Sequence, residues 1–547
     1  MVQTDTQQAT QSQQNSQIGR RILLATFAIM AVQFILRCFG VIEKSIMGTY
    51  FGTGDQANAY SAARRIANPV FQLGDQVVMH SFLPPFVKRM REQGENSAWR
   101  LASTVINLMI IVMAVIAVLG ICFTPLLLRL FLPGWVEHNH ATLLPLTEKL
   151  TRLMLIAMII LAVSSLTYCL LNSYKQFALP AASDLALKGT VLIFAILLAH
   201  RWHAYALAVG FVIGAGAKIL VQSGGLGKRL THYRLSINLK DPGLKHFIIL
   251  ALPLIVGWAF STFRGLMESV FLSIVPEKAS LSAYDYAKTL CDPLVTFIPY
   301  AFGIALFPFL TDIAVAGNKE RLHSMLLSAT RMMMLIFIPL ALGIIIFRYP
   351  IILSLYGSHA FTRHSADLTA APLLILAIGM LASALEIIVN QFYFAMSDTV
   401  RPTVTGMVMI PIYATVGYFG VTTMGWGAAA VALAMLCYRT AKVIALYTMI
   451  RKKIGTLNVG SLLTLLGKLA VSLVPFVGIL LIGGHFLPQP ENVEGKIGKL
   501  LMLLPYMLTG GVGVVLYLTA LHFLHVDEVA MIVGKVRTKI LRRPSPV

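Results

Sequence analysis

The chain has 547 residues, of which 57% are hydrophobic and only 12% charged, and its mean hydropathy is +0.77. A soluble protein carries about twice that charged fraction, so the composition excludes a set of soluble domains. Long apolar stretches recur over the whole length, which predicts an all-α integral membrane protein. The net charge of +21 would suggest nucleic acid in a soluble protein. Here the basic residues lie in short loops between apolar segments, so we predict no nucleic-acid binding.

The first residues are polar, and we predict a disordered cytoplasmic N-terminus over 1–19. The apolar run that follows lacks a small-residue cleavage site, so we interpret it as a retained first helix. Hydropathy predicts about fourteen transmembrane helices, at 22–50, 57–87, 97–131, 145–173, 179–200, 203–226, 243–275, 281–314, 322–355, 366–395, 402–420, 424–450, 460–486 and 498–524.

The basic residues of the loops test this helix count. With the N-terminus in the cytoplasm, 23 basic residues fall on the cytoplasmic side and nine on the opposite side. This bias supports the helix count and predicts that both termini are cytoplasmic.

An internal repeat divides the helices. Residues 58–86 align without gaps with 282–310, and the matches include Pro69 with Pro293 and Arg64 with Lys288. The repeat predicts two six-helix lobes related by a pseudo-two-fold axis along the membrane normal. The predicted domains are the N-lobe 20–230, the C-lobe 240–453, helices 13 and 14 over 458–526, and a basic cytoplasmic tail over 527–547.

Several charged residues fall inside the predicted spans. A central Arg or Lys costs about 2.5–3.5 kcal/mol on insertion scales, so such residues mark protein-lined or wet cavities. Arg37 and Arg64 have no acid within four residues along the chain, and we predict that both lack a counter-charge. Arg65 projects about 100° from Arg64 on a helix and is expected to contact another helix or the interface.

Other intramembrane charges have neighbours at helical spacing. Glu268 follows Arg264 by four residues, and Lys188 follows Asp184 by four, so we predict a local pair in each case. Near the cytoplasmic end of helix 12, Arg439 and Lys442 are expected to extend toward the interface.

Arg37, Arg64 and Lys288 together suggest a cationic surface. A guanidinium group can bind phosphate oxygens in bidentate fashion, so a pyrophosphate on a lipid carrier is the natural ligand. Pro69 and Pro293 each remove a backbone hydrogen bond, and we predict that they interrupt helices 2 and 8 and serve as hinges.

Five stretches in chain order resemble the MurJ/MviN lipid II flippase family, of the multidrug/oligosaccharidyl-lipid/polysaccharide exporter superfamily. They are Arg37-Cys-Phe-Gly40 with Phe51-Gly52, Phe82-Leu-Pro84, Leu171-Asn-Ser-Tyr-Lys-Gln-Phe177, Tyr284-Asp-Tyr-Ala-Lys288 with Pro293, and Phe392-Tyr-Phe-Ala395 with Asp398.

The resemblance implies a flippase of the bacterial inner membrane, a secondary transporter rather than an enzyme. It would move lipid II, the undecaprenyl-pyrophosphate-linked peptidoglycan monomer, by alternating access. It implies no cofactor or metal beyond a coupling monovalent cation, Na⁺ or H⁺. The energy for transport would come from the gradient of that cation or from the membrane potential. Membrane lipid and the cell-wall synthesis machinery are the further candidate partners. By resemblance, Arg37 matches a helix-1 arginine, Lys288 stands in place of a helix-8 arginine, and Glu268 lies near a proposed sodium site.

The candidate site residues fall into three groups. The substrate-binding group is Arg37, Arg64, Lys288, Arg264, Glu43, Lys44, Asn68 and Asp292. The ion-coupling group is Glu268 and Asp398, and the hinge group is Pro69, Pro293 and Gly40.

The chain departs from the family at the end of helix 1, where an Arg-Asp pair is replaced by Glu43-Lys44. Alternative functions are therefore export of another lipid-linked oligosaccharide, multidrug export, and a scaffold that transports nothing. A membrane glycosyltransferase would need a catalytic carboxylate in a sizeable outer loop. The longest candidate loops, 132–144 and 487–497, offer Glu137, Glu491 and Glu494 but no Asp pair, which disfavours this class. No GxxxxGK[ST] motif is present, so ATP is not the direct energy source.

Overall fold

The computed structural model describes residues 32, 34–73, 77–138, 142–176, 178–455, 459–490, 493, 495–526 and 528. The predicted disordered N-terminus, the start of predicted helix 1 and nearly all of the predicted basic tail lie outside these residues. The described part consists of helices joined by loops, without a β-strand.

Twenty-one helices follow one another along the described residues. The first eleven are α1 (34–51), α2 (Asp55–Leu73), α3 (Met79–Gln93), α4 (Glu95–Cys122), α5 (Thr124–Phe131), α6 (Pro133–Glu137), α7 (Leu143–Ser173), α8 (Ala178–Trp202), α9 (Ala204–Leu226), α10 (Pro242–Ile274) and α11 (Ser280–Val315). The others are α12 (Lys319–Ile346), α13 (Arg348–Tyr356), α14 (Arg363–Ile378), α15 (Met380–Ala395), α16 (Val400–Val408), α17 (Ile410–Thr422), α18 (Ala428–Ile454), α19 (Val459–Phe486), α20 (Lys496–Leu501) and α21 (Leu503–Phe523).

Ten of the described helical segments are long and apolar enough to cross a membrane, and α14 with α15, bent by 40°, forms an eleventh. The three other predicted spans correspond to α1, to α2 with α3, and to α11. The fold class predicted from the sequence is confirmed, and the helices are consistent with the predicted count of fourteen.

Several predicted spans are divided where the sequence suggested one continuous helix. The predicted spans 97–131 and 402–420 divide at Phe123 and Met409. In both cases a proline lies within the first two residues of the following helix, at Pro125 or Pro411. A proline there has no N–H to continue the hydrogen-bond ladder of the preceding helix, which permits the break.

The first of two compact units contains the described residues up to Ile46 and Asp55–Val270. Its helices α8 and α9 pack closely at Gly214. A Cβ added there would lie 2.7 Å from the carbonyl oxygen of Leu187. Only a glycine permits this approach, which brings polar side chains of the two helices within reach of each other.

The second unit contains Met47–Gly54 and Phe271–Val547. Its short N-terminal segment is bonded to residues far along the chain. The Tyr286 hydroxyl donates to the carbonyl oxygen of Gly52 at 2.7 Å, and the hydroxyls of Thr53 and Ser365 lie 2.8 Å apart. The predicted lobe limits stay a prediction.

Gly52 is expected to tolerate no side chain. Its φ is +56°, and a Cβ there would lie 2.0 Å from the carbonyl oxygen of Ala360. We predict that Gly52→Ala lowers the free energy of unfolding by at least about 2 kcal/mol, since both the backbone conformation and the space disfavour it. Thermal unfolding of the purified protein in detergent measures this. Gly189→Ala, where a Cβ meets nothing within 4 Å, is the control, and equal melting of the two variants would contradict the argument.

Candidate substrate-binding site

Arg64 on α2 forms an ion pair with Glu43 on α1. Its Nη1 lies 2.5 Å from Oε1 of Glu43, and the Tyr60 hydroxyl donates to the same oxygen at 3.0 Å. The prediction that Arg64 lacks a counter-charge is therefore wrong. The carboxylate comes from the neighbouring helix, 21 residues earlier in the chain, where a search within one helix does not find it.

Two lysines border the same pair. Lys44 is buried and donates to Oγ of Ser61 at 3.2 Å. Lys188 on α8 donates to the carbonyl oxygen of Leu36 at 3.0 Å, and its Nζ would lie 3.7 Å from a Cβ added at Gly40. Gly40, a predicted hinge, thus leaves room on α1 for an ammonium group.

Asp184 forms its ion pair with Lys218 of α9 at 2.8 Å. The predicted local pair with Lys188 is wrong, because the close packing of α8 and α9 supplies a cation from another helix. The sequence reasoning missed Lys218. The signal was present, since Lys218 is a lone charge directly after the small residues 214–217, which permit close helix packing.

Arg37 differs from the other arginines of these helices. It lies on α1 with an exposed side chain, and it makes no hydrogen bond or ion pair with the described residues. It is nevertheless within electrostatic reach of Lys188, together with Glu43 and Arg64.

We call this group in the first unit the charged cluster. Its members are Arg37, Glu43, Lys44, Arg64, Asp184, Lys188 and Lys218. Five are cationic and two are carboxylates, and Arg37 makes no hydrogen bond or ion pair with the described residues. Because an unneutralised cation inside a membrane is costly, the cluster favours an anionic ligand.

Glu268 on α10 is buried between two arginines of the same unit. Arg65 donates to its Oε1 at 2.9 Å, which confirms that Arg65 contacts another helix, and Nη1 of Arg264 lies 3.9 Å from Oε2. The predicted Arg264–Glu268 pair is present as the longer of the two contacts. A carboxylate already facing two guanidinium groups has little unneutralised charge for a metal cation.

Pro69, a predicted hinge, lies inside α2, which is described as far as Leu73, and Trp258 donates to its carbonyl oxygen at 2.9 Å. Residues 74–76, where an interruption of predicted helix 2 would follow, lie outside the described residues. Asn68 is exposed, with no hydrogen bond to the described residues. Pro293 instead lies within the continuous helix α11 of 36 residues, so the predicted interruption there is wrong. A membrane helix tolerates a proline where its surroundings satisfy the freed carbonyl group.

The second unit contains a small cavity of its own, of about 30 Å³, between α11, α14, α15 and α18. Lys288, Asp292 and Arg439 line it, and the Lys288 ammonium lies 5.6 Å from the centre of the Tyr284 ring. Asp292 and Arg439 make no hydrogen bond or ion pair with the part of the chain that the structure describes. Arg439, expected at the interface from the sequence, thus lies in a cavity with a second cation.

Two further carboxylates of the second unit are paired. Lys442 is buried and donates to Glu386 at 2.6 Å, so the expectation that it extends to the interface is wrong. Asp398, between α15 and α16, accepts hydrogen bonds from Arg401 at 3.0 Å and Lys453 at 2.8 Å. Burial alone would raise the pKa of Asp398, but the hydrogen bonds and charges of Lys453 and Arg401 lower that pKa below its ordinary value of 3.8.

Metal binding has no support among the described residues, where no group of three or more His, Cys, Asp and Glu side chains could hold an ion. The five cysteines have free thiols. The arrangement is therefore one of cations and ion pairs on helices long enough to cross a membrane.

Ten or eleven apolar spans with cationic side chains inside them, in a described chain without strands, are the architecture of a polytopic membrane transporter. The family model described as lipid II flippase MurJ matches residues 47–502. The chain belongs to the lipid II flippase MurJ family.

Relatives and solved structures agree with this assignment. A probable lipid II flippase MurJ of Bdellovibrio bacteriovorus is 27% identical over 401 residues, which cover 72% of this chain and 76% of the relative. The lipid II flippase MurJ of Burkholderia cenocepacia is 23% identical over 69% of this chain and 74% of its own. A structure of lipid II flippase MurJ in an inward closed conformation matches with a TM-score of 0.70 and 19% identity, covering 91% of this chain and 99% of that one.

The fold is shared more widely. An inward-facing multidrug resistance MATE transporter of the MOP superfamily matches with a TM-score of 0.67 at 11% identity, over 79% of this chain and 98% of that one. The charged side chains, rather than the fold, must therefore distinguish the ligands of these proteins.

Proposed function

We propose that the chain moves lipid II from the cytoplasmic to the periplasmic leaflet by alternating access, as a secondary transporter with both termini in the cytoplasm. The observation that carries the proposal is the surplus of cations over carboxylates in the charged cluster. Lipid II combines a pyrophosphate with a polyprenyl chain, so it supplies the missing negative charge from within the membrane.

Within the cluster, Arg37 is the group that binds the pyrophosphate. Its side chain is exposed and makes no hydrogen bond or ion pair with the described residues, so it is available to a ligand. A guanidinium presents paired N–H groups that match two phosphate oxygens. The Arg64–Glu43 ion pair has a structural role, because it holds α1 and α2 together beside Arg37.

In the second unit, Lys288 and Arg439 outnumber Asp292 in the cavity. We propose that these cations attract an anionic group of the substrate. A site for a cationic drug would show the opposite balance, with carboxylates and aromatic rings in excess, so the side chains favour a lipid-linked anion over a multidrug substrate.

The proposal includes a coupling cation, Na⁺ or H⁺. Glu268 and Asp398 are the predicted ligands, and each already faces two cationic side chains. Coupling through either carboxylate would then exchange an arginine or lysine contact for the ion.

Complementation tests the proposed function. A strain depleted of its own lipid II flippase is expected to grow and keep its shape when this chain is expressed. A lipid II accessibility assay in the same cells should show the substrate in the outer leaflet. A chain that is well expressed and inserted but leaves lipid II inside would remove lipid II as the substrate. Rescue of a strain that cannot export another lipid-linked saccharide would then support export of that saccharide, the alternative that the Glu43-Lys44 replacement suggests.

A further inference from the structure

The connection between α9 and α10 exposes apolar side chains. It consists of the 3₁₀ helix Gly227–His232 and a segment over 233–240 that we call the tethered loop. Within it, Leu235 is 89% exposed, Ile237 44% and Leu239 70%. Three exposed aliphatic residues within five positions form an apolar surface that no described residue covers, and such a surface marks an interaction site.

The tethered loop is held in this arrangement by α4. The side chain of Asn107 donates to the carbonyl oxygens of Arg234 and Ser236 at 3.1 and 3.0 Å. The backbone N–H of Arg234 donates to Oγ of Ser103 at 3.0 Å. Because these bonds fix the backbone, the apolar side chains stay outward instead of folding back onto the helices.

The surroundings of the tethered loop are positively charged. The exposed basic residues in and beside it are Lys228, Arg234, Lys240 and Lys245, whereas Arg229 is half-exposed and lies 3.7 Å from Glu95. The acid next to Lys240, Asp241, is buried and accepts hydrogen bonds from Arg89 at 2.5 and 2.7 Å. Its charge is therefore neutralised, and the surface presents cations around an apolar centre.

The position of the tethered loop indicates which partner it contacts. It joins two segments that are long and apolar enough to cross a membrane, Ala204–His232 and Pro242–Ile274. A loop this short between two spans lies at the depth of the lipid headgroups. Basic residues there are attracted to anionic headgroups, and leucine side chains enter the boundary with the acyl chains.

We propose that the tethered loop docks on anionic phospholipid, with Leu235, Ile237 and Leu239 at the acyl boundary and the basic residues on the headgroups. The loop then anchors the junction of α9 and α10 to the membrane surface. This inference does not depend on the transported substrate.

A label on the loop tests the proposal in the full chain. The five native cysteines are replaced by serine, Ile237→Cys is coupled to an environment-sensitive fluorophore, and the protein is reconstituted in nanodiscs. The discs contain phosphatidylcholine alone or mixed with phosphatidylglycerol, each with a doxyl-labelled quencher lipid. We expect a blue-shifted, quenched emission that strengthens with phosphatidylglycerol. The matched control Ser236→Cys, one residue away, should be quenched less.

The charges are tested by Lys228→Gln, Arg234→Gln and Lys240→Gln in the labelled protein. Each basic residue near an anionic surface contributes about fivefold in affinity, so the triple variant should need more than about tenfold more phosphatidylglycerol for half of the spectral shift. These side chains are exposed, and an unchanged melting temperature is expected. A label at 237 that is unquenched in both lipids, or quenched equally with and without phosphatidylglycerol, would overturn the proposal. Both of these results are measured on labelled protein that keeps its basic loop residues, so they remain valid even if the triple variant misfolds.

Discussion

Arg37→Ala is expected to abolish rescue of a flippase-depleted strain while leaving the protein folded. A charge-assisted hydrogen bond contributes about 1.5–3 kcal/mol, so losing the bidentate contact should weaken binding of lipid II by roughly 10- to 100-fold. Folding should be unaffected, because the side chain is exposed and makes no hydrogen bond or ion pair with the described residues. Binding of lipid II to the purified protein and growth of the strain measure the effect.

Two variants make the Arg37 experiment specific. Arg37→Lys keeps the charge but loses the planar group, and should recover only part of the binding. Arg152→Ala removes an arginine of the same unit that pairs with Glu148 at 2.5 Å on an exposed surface, and should behave as the unchanged protein. Full rescue by Arg37→Ala would count against the cationic site.

Arg64→Ala is expected to lower the free energy of unfolding, and this loss of stability should be its main effect. It would leave the buried Glu43 without its ion-pair partner and with only Lys44 and Lys188 nearby. Removing one partner of a buried ion pair costs about 3 kcal/mol or more. Arg64 is itself half-buried, with a side-chain exposure of 35%, so we expect the lower end of that range. The result should be a lower melting temperature and a lower yield of inserted protein.

The double variant Glu43→Gln with Arg64→Gln distinguishes pairing from charge. It removes both charges and leaves groups that can still form hydrogen bonds, so most of the stability lost in Arg64→Ala should return. Because the double variant removes one positive and one negative charge, the net charge of the cluster is unchanged. Transport should therefore return with the stability if the cluster acts through its net positive charge. Equal melting of Arg64→Ala and the unchanged protein would show that the ion pair does not hold α1 to α2.

The fold could be predicted from the sequence because membrane helices are specified locally. Apolar length fixes each span, and the basic loops support the count. Helix divisions such as the one at Met409 were missed, since a proline at the start of a segment has little effect on average hydropathy.

The site could be predicted only in part. The presence of Arg37, Arg64 and Lys288 inside predicted spans was visible, but their partners were not. Ion pairs between helices depend on rotation and spacing, which the sequence of one helix does not contain. Arg64 with Glu43 and Asp184 with Lys218 show this directly. Close packing at Gly214 decides the second pair, although the small-residue run around it was readable.

The segment Met47–Gly54 has a consequence for biosynthesis. Thr53 meets Ser365, which is 312 residues later in the chain. At translation rates of 5–20 residues per second, the ribosome delivers that partner about 15 to 60 s afterwards. During this interval the segment at the end of the first helix lacks its final neighbours. Chaperones and the insertion machinery therefore have a defined period in which to protect it, and a fragment truncated before Ser365 would expose this segment permanently to quality-control proteases.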